Sequence, residues 1–145
     1  MRQEIHISSI IFTFAFLLLF NALFVNTVSA GASAINCQAH DGKCSLPIGN
    51  ETVTLEIMPR PVTAMQDSTF TVTLSGKPPG QAPYIDLGMP AMKMGPNRVL
   101  LKPTGNGAYM GKGVIVRCKS GRRTWFANIV IPGVGEAKFV FDVVY

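Results

Sequence analysis

Apolar residues at every second position, broken at short intervals by glycine and proline, are the strongest constraint on what this chain can become. Val53, Leu55 and Ile57 alternate with Thr52, Thr54 and Glu56, and Phe70, Val72 and Leu74 alternate with Thr71 and Thr73. A period of two puts one set of side chains on one face of an extended segment, so both runs predict half-buried strands. Met58-Pro59-Arg60-Pro61-Val62 lies between them. Its prolines lack the N–H that a central ladder needs, so no central strand runs through it. Tyr84 to Leu87 predicts a short strand, and Arg98 to Lys102 another with Val99 and Leu101 on one face. Ala108 to Cys118 reads as a long strand weakened by Gly111 and Gly113, which marks a bulge or a change of partner. Lys119-Ser120-Gly121-Arg122 reads as a hairpin turn into Thr124 to Ile131, where Trp125, Ala127, Ile129 and Ile131 share a face. Pro132-Gly133-Val134-Gly135 turns the chain into a last strand with Phe139, Phe141, Val143 and Tyr145 on one side. Seven strands and no amphipathic helix after the N-terminal segment predict an all-β, immunoglobulin-like β-sandwich. Hairpins over 98–118 and 114–131 are the expected pairings.

The first thirty residues follow another pattern. Arg2 precedes a run of 19 residues, Ile7 to Val25, that is almost wholly apolar. Val28 and Ala30 supply the small residues of a signal-peptidase site after Ala30. Residues 1–30 therefore read as a helical signal peptide, in a run also long enough to remain as a membrane anchor. Its removal takes away one cation, Arg2, and one carboxylate, Glu4, so the net charge stays at +5. That charge is scattered, without the basic stripe and interleaved aromatics of a nucleic-acid partner. The expectation is an exported protein, periplasmic or held at the inner membrane, touching the membrane only through this segment.

Export makes the cysteines informative, because an oxidising compartment favours pairing. Cys37 and Cys44 flank a polar stretch with Gly42 that can turn back on itself. They are the expected disulfide, tying an irregular lead over residues 31–50 to a sandwich domain over 51–145. Cys118 is left unpaired. Arg117, Lys119, Arg122 and Arg123 surround it in sequence. They form either a solvated basic turn or a set of cations that favours the thiolate.

No enzyme constellation is present. The chain after residue 30 has one histidine, His40, no Gly-x-Ser-x-Gly and no glycine loop opening a helix. The chemistry lies instead in Asp86-Leu-Gly-Met-Pro-Ala-Met-Lys-Met-Gly-Pro-Asn97. Met89, Met92 and Met94 fall within six residues, among Gly88, Pro90, Gly95 and Pro96. That much punctuation predicts a shaped loop between strands. Thioether sulfur is soft and uncharged and suits Cu(I) over hard cations. Met92 and Met94 are two apart and point the same way on an extended segment, and Met89 comes round through the Gly88 and Pro90 turn. Against this stands methionine's common use as a filler of irregular gaps in a core.

Met89-Pro90-Ala91-Met92-Lys93-Met94-Gly95-Pro96-Asn97 resembles the Met-Pro-x-Met-x-Met segment of YtkA-like domains, which are similar to the soluble part of FixH-like proteins. The resemblance extends to the Arg98–Lys102 strand, to Gly107-Ala108-Tyr109 and to Trp125, covering roughly residues 50–145. It implies a small exported β-sandwich that handles copper. The Cys37–Cys44 lead and Cys118 depart from the simplest members and imply a subgroup. Two functions follow as expectations. One is a Cu(I) carrier or assembly factor, with Met89, Met92 and Met94 as ligands, Cys118 as an accessory ligand and a copper-receiving protein as partner. The other is a non-metal interaction module whose methionines form an adaptable apolar contact surface.

Overall fold

The computed structural model describes residues 34–145. The expected signal segment lies outside the described residues. Nine strands follow: β1 Cys44–Ile48, β2 Glu51–Met58, β3 Asp67–Leu74, β4 Tyr84–Gly88, β5 Arg98–Leu100, β6 Lys102–Gly105, β7 Ala108–Val114, β8 Thr124–Ile131 and β9 Gly135–Asp142. They form two antiparallel sheets, one ordered β1-β2-β3-β7-β6 and the other β5-β4-β8-β9.

The alternation read from the sequence explains why the two sheets pack on each other. Register pairs Leu55 with Val72 and Ile57 with Phe70, so the apolar set of β2 and β3 lies on one face. Ala127 pairs with Phe139 and Trp125 with Phe141 on the other sheet. All eight are buried and belong to one core, together with Ile85 and Leu87 of β4. The result, among the described residues, is a β-sandwich-like fold with one core between its two sheets.

Four expectations are corrected. The lead is not irregular throughout, because Cys44–Ile48 forms β1 and pairs with β2 across a tight turn, Ile48 opposite Glu51. Gly49 takes a φ of 57° there, and Pro47 is tolerated because β1 is an edge strand. The Arg98–Lys102 strand is two strands: β5 pairs with β4, and β6 pairs with β7 in the opposite sheet. Buried Leu101 lies at the crossing. The turn expected over 103–107 shrinks to Asn106-Gly107, both at positive φ, the pattern of a two-residue hairpin. The hairpin over 114–131 does not form, because β8 lies between β4 and β9 in the other sheet. Residues 115–123 instead cross from one sheet to the other.

Of the two readings of Gly111 and Gly113, the change of partner holds. The β3 to β7 register is regular through both glycines, while β6 pairs with β7 only as far as Met110. Beyond that point the other sheet's β5 approaches. A Cβ at Gly111 would lie 2.4 Å from the Leu100 carbonyl oxygen, and one at Gly113 would lie 2.5 Å from Val99 Cγ2.

The lead closes one side of the sandwich. Asn36 and Cys37 N–H groups both donate to the Val140 carbonyl, and Val140 N–H donates to Asn36 Oδ1 at 2.8 Å. Cys37 is bonded to Cys44 at the start of β1. His40 Nδ1 accepts from Val62 N–H at 3.0 Å. After its two prolines, the 59–66 segment runs beside the C-terminal residues, with Ala64 N–H on Val144 C=O and Val144 N–H on Val62 C=O.

Two stability measurements check this account. Replacing both Cys37 and Cys44 by serine should lower unfolding free energy by about 2–3 kcal/mol, since the closed loop is short. Gly113→Val should cost about 1–3 kcal/mol by overpacking against Val99. Urea midpoints equal to the parent's would remove, respectively, the clamp and the close approach as constraints.

Candidate functional site

The methionine segment is the connection from β4 to β5. Ile85 and Leu87 point inward, and Met89 continues that alternation one step past the strand, with 2% of its surface exposed. The chain then turns. Met92 N–H donates to Met89 C=O at 3.2 Å, with Pro90 and Ala91 between. Ala91 has a φ of 57°, so proline followed by a left-handed residue gives the pattern of a type II turn. A non-glycine residue there costs roughly 1–2 kcal/mol, which the surrounding bonds must hold down. Leu87 N–H donates to Asn97 C=O at 2.8 Å, and Asn97 Nδ2 donates to Val114 C=O at 3.2 Å. The loop is therefore pinned at both ends, to its own sheet and to the end of β7.

The turn changes the phase of the side chains. Met92 and Met94 are half-buried and line an open groove of about 380 Å³ with Asp86, Gly88, Arg98 and Phe126. Phe126 alternates outward between Trp125 and Ala127, and its ring lies over Gly88, where an added Cβ would meet Cζ at 2.5 Å. Lys138 Nζ stands 5.0 Å from that ring's centre. Arg98 reaches Asp86 with two bonds, Nε to Oδ1 at 2.7 Å and Nη2 to Oδ2 at 3.1 Å, and its guanidinium lies 4.0 Å from the centre of Tyr84. The hydrogen bond to Asp86 holds Arg98 more firmly protonated than usual. The groove's carboxylate is thus already engaged, and beside it the lining carries the two thioethers, Lys93 and Asn97. Among the described residues no three His, Cys, Asp or Glu side chains gather as a metal site.

Met92 and Met94 line one groove, and Met89 is buried in the core. Cys118 is free and half-buried, and it does not line the groove. It sits on the loop from β7 to β8, its N–H donating to Tyr145 Oη at 3.2 Å and its Sγ 3.0 Å from Ser120 Oγ. The thiol is held below its ordinary pKa. The Ser120 hydroxyl is the largest cause, then the Ser120 backbone. Burial opposes, and the backbone and charge of Arg122 add smaller contributions. The sequence points to the neighbouring cations, whereas a hydroxyl two residues on is the largest single cause. Phe126 and the Asp86–Arg98 pair also escape the sequence reading. Their only signal is an aromatic at an outward strand position and opposite charges whose pairing depends on register.

A lowered thiol pKa puts more thiolate at a given pH, so Cys118 should alkylate at lower pH than a cysteine of the unfolded chain. Ser120→Ala should move the pH profile of alkylation upward. An unmoved profile would exclude the hydroxyl as the cause. Comparison of the chain with protein-family models, with curated proteins and with solved structures finds no match.

Proposed function

We propose that this chain is an exported Cu(I)-binding protein, a carrier or assembly factor that passes copper to a receiving protein through its methionine loop. The observation that carries this is the pair of half-buried thioethers on one open groove, beside a carboxylate already held by an arginine. Two soft, uncharged donors favour Cu(I) and discriminate against hard cations. They hold it less permanently than a thiolate cluster would, as transfer requires. In this reading Met92 and Met94 are the donors, and Met89 anchors the turn from below. Cys118 lies outside the groove lining and is not a primary donor.

Two further points support the reading. The Cys37–Cys44 disulfide suits an oxidising compartment, and with the 1–30 segment it supports export to the periplasm, free or membrane-anchored. The orders β2-β3-β7-β6 and β5-β4-β8-β9 match the ABED and C′CFG sheets of immunoglobulin domains. That match supports an immunoglobulin-like sandwich with β1 added, the fold the YtkA-like resemblance implies.

The second reading, a non-metal docking module, has one observation of its own: Phe126 and Pro96 line the same groove as the methionines, an adaptable apolar surface. The two readings separate on substitution. Met→Leu at 92 and 94 keeps an apolar contact and removes a copper site.

Titration of the folded protein with Cu(I) against a competing chelator tests the proposal. Altering residues that merely support metal ligands costs 10–100-fold in affinity, so Met92→Leu with Met94→Leu should cost more than about a hundredfold. Met89→Leu conserves core volume and should leave affinity nearly unchanged, at less than about 1.5 kcal/mol of stability. Parent-like binding by the double variant would exclude the groove as the site. Loss of binding in a folded Met89→Leu protein would make all three methionines ligands.

A further inference from the structure

We propose that the end of the sandwich carrying Met65, Val116 and the 117–123 loop is a docking surface for an anionic lipid bilayer. Three chain segments meet there. Met65 N–H donates to Ile115 C=O at 2.8 Å, and Arg117 N–H points at Met65 Sδ at 3.4 Å. Ala64 N–H donates to Val144 C=O at 2.9 Å, and Val143 N–H to Arg123 C=O at 3.0 Å. Residues 62–65, 115–123 and 143–145 therefore form one continuous surface.

That surface combines two features. Arg117, Lys119, Arg122 and Arg123 are all exposed, and among the described residues none is in a salt bridge. Arg117 lies 5.5 Å from the centre of the Tyr145 ring. Next to these segments in sequence stand two acidic side chains, Asp67, which opens β3, and Asp142, which accepts from Thr124. The four cations outnumber them. Among the cations stand Met65, 67% exposed, Val144, 40%, and Val116, 39%.

The cations alone would suit any polyanion. The apolar side chains narrow the choice. A bilayer offers phosphate to the cations and the acyl boundary to Met65, Val116 and Val144. The apolar run Ile7 to Val25, kept as an anchor, would hold this domain beside a bilayer. None of these residues lines the Met92–Met94 groove, and the inference stands without the copper reading.

The test is sedimentation of the processed chain, residues 31–145, with vesicles of mixed phosphatidylglycerol and phosphatidylcholine or of phosphatidylcholine alone. Binding to the anionic vesicles is expected at low salt, with loss at high salt as screening shortens the charge range. Arg122→Glu with Arg123→Glu should weaken partitioning by roughly tenfold or more. Both residues serve the fold through backbone carbonyls, so these variants should stay folded, as an unchanged circular dichroism spectrum would verify. Met65→Ser with Val116→Ser should weaken it severalfold. No binding to anionic vesicles, equal binding to phosphatidylcholine, or indifference to the arginine reversals would overturn the proposal. If the arginine reversals release the protein while the serine variants bind like the parent, the apolar side chains do not select a bilayer over other polyanions, and the lipid assignment falls.

Discussion

Burying Trp125 between two sheets leaves one polar atom, its indole Nε1, that must find a partner inside. Tyr145 Oη accepts from it at 3.4 Å. The same oxygen accepts from Cys118 N–H and donates to the Arg122 carbonyl. One hydroxyl therefore satisfies the buried tryptophan and fastens the 115–123 crossing at Cys118 and Arg122. Neither sheet's ladder pairs this crossing, so side-chain and cross-segment bonds must hold it. The placement of Cys118 and of the basic surface follows from that fastening.

The methionine segment depends on the same end of the sandwich. Asn97 ties it to β7 where that strand stops, and Leu87 ties it to β4. Between those ties one turn divides three similar side chains between two tasks. Met89 keeps the inward phase of β4 and fills the core, where an unbranched thioether adapts to irregular space. After Pro90 and Ala91 the phase is reset, and Met92 and Met94 face a groove. Of the two accounts of methionine that sequence alone leaves open, core filler holds for Met89, and soft donor is the role proposed for Met92 and Met94.

Legibility varied along the chain for physical reasons. The inward faces of β2, β3, β8 and β9 were readable because alternation reports directly on a half-buried strand. The Cys37–Cys44 bond was readable from its polar, turn-prone spacer and the oxidising context, and it is present. The sheet to which a strand belongs was not readable. A period of two is the same whether the next strand pairs alongside or crosses to the facing sheet, so Lys119 to Arg122 reads as a hairpin turn. The split at Leu101 was hidden likewise, since Val99 and Leu101 keep one phase while the chain changes sheets. Pro47 masked β1, because an edge strand tolerates a proline that a central one does not.

From its own residues the chain determined an all-β sandwich-like fold, the disulfide pairing and a loop of clustered thioethers, because alternation, spacing and composition are local and survive without neighbours. Tertiary structure alone decided which thioethers reach the surface, that Phe126 and the Asp86–Arg98 pair border them, and that Cys118 stands apart beside Ser120 and Tyr145. Those outcomes depend on strand register and on which sheet each strand joins. Both are set by contacts between residues far apart in the chain, and no local pattern records them.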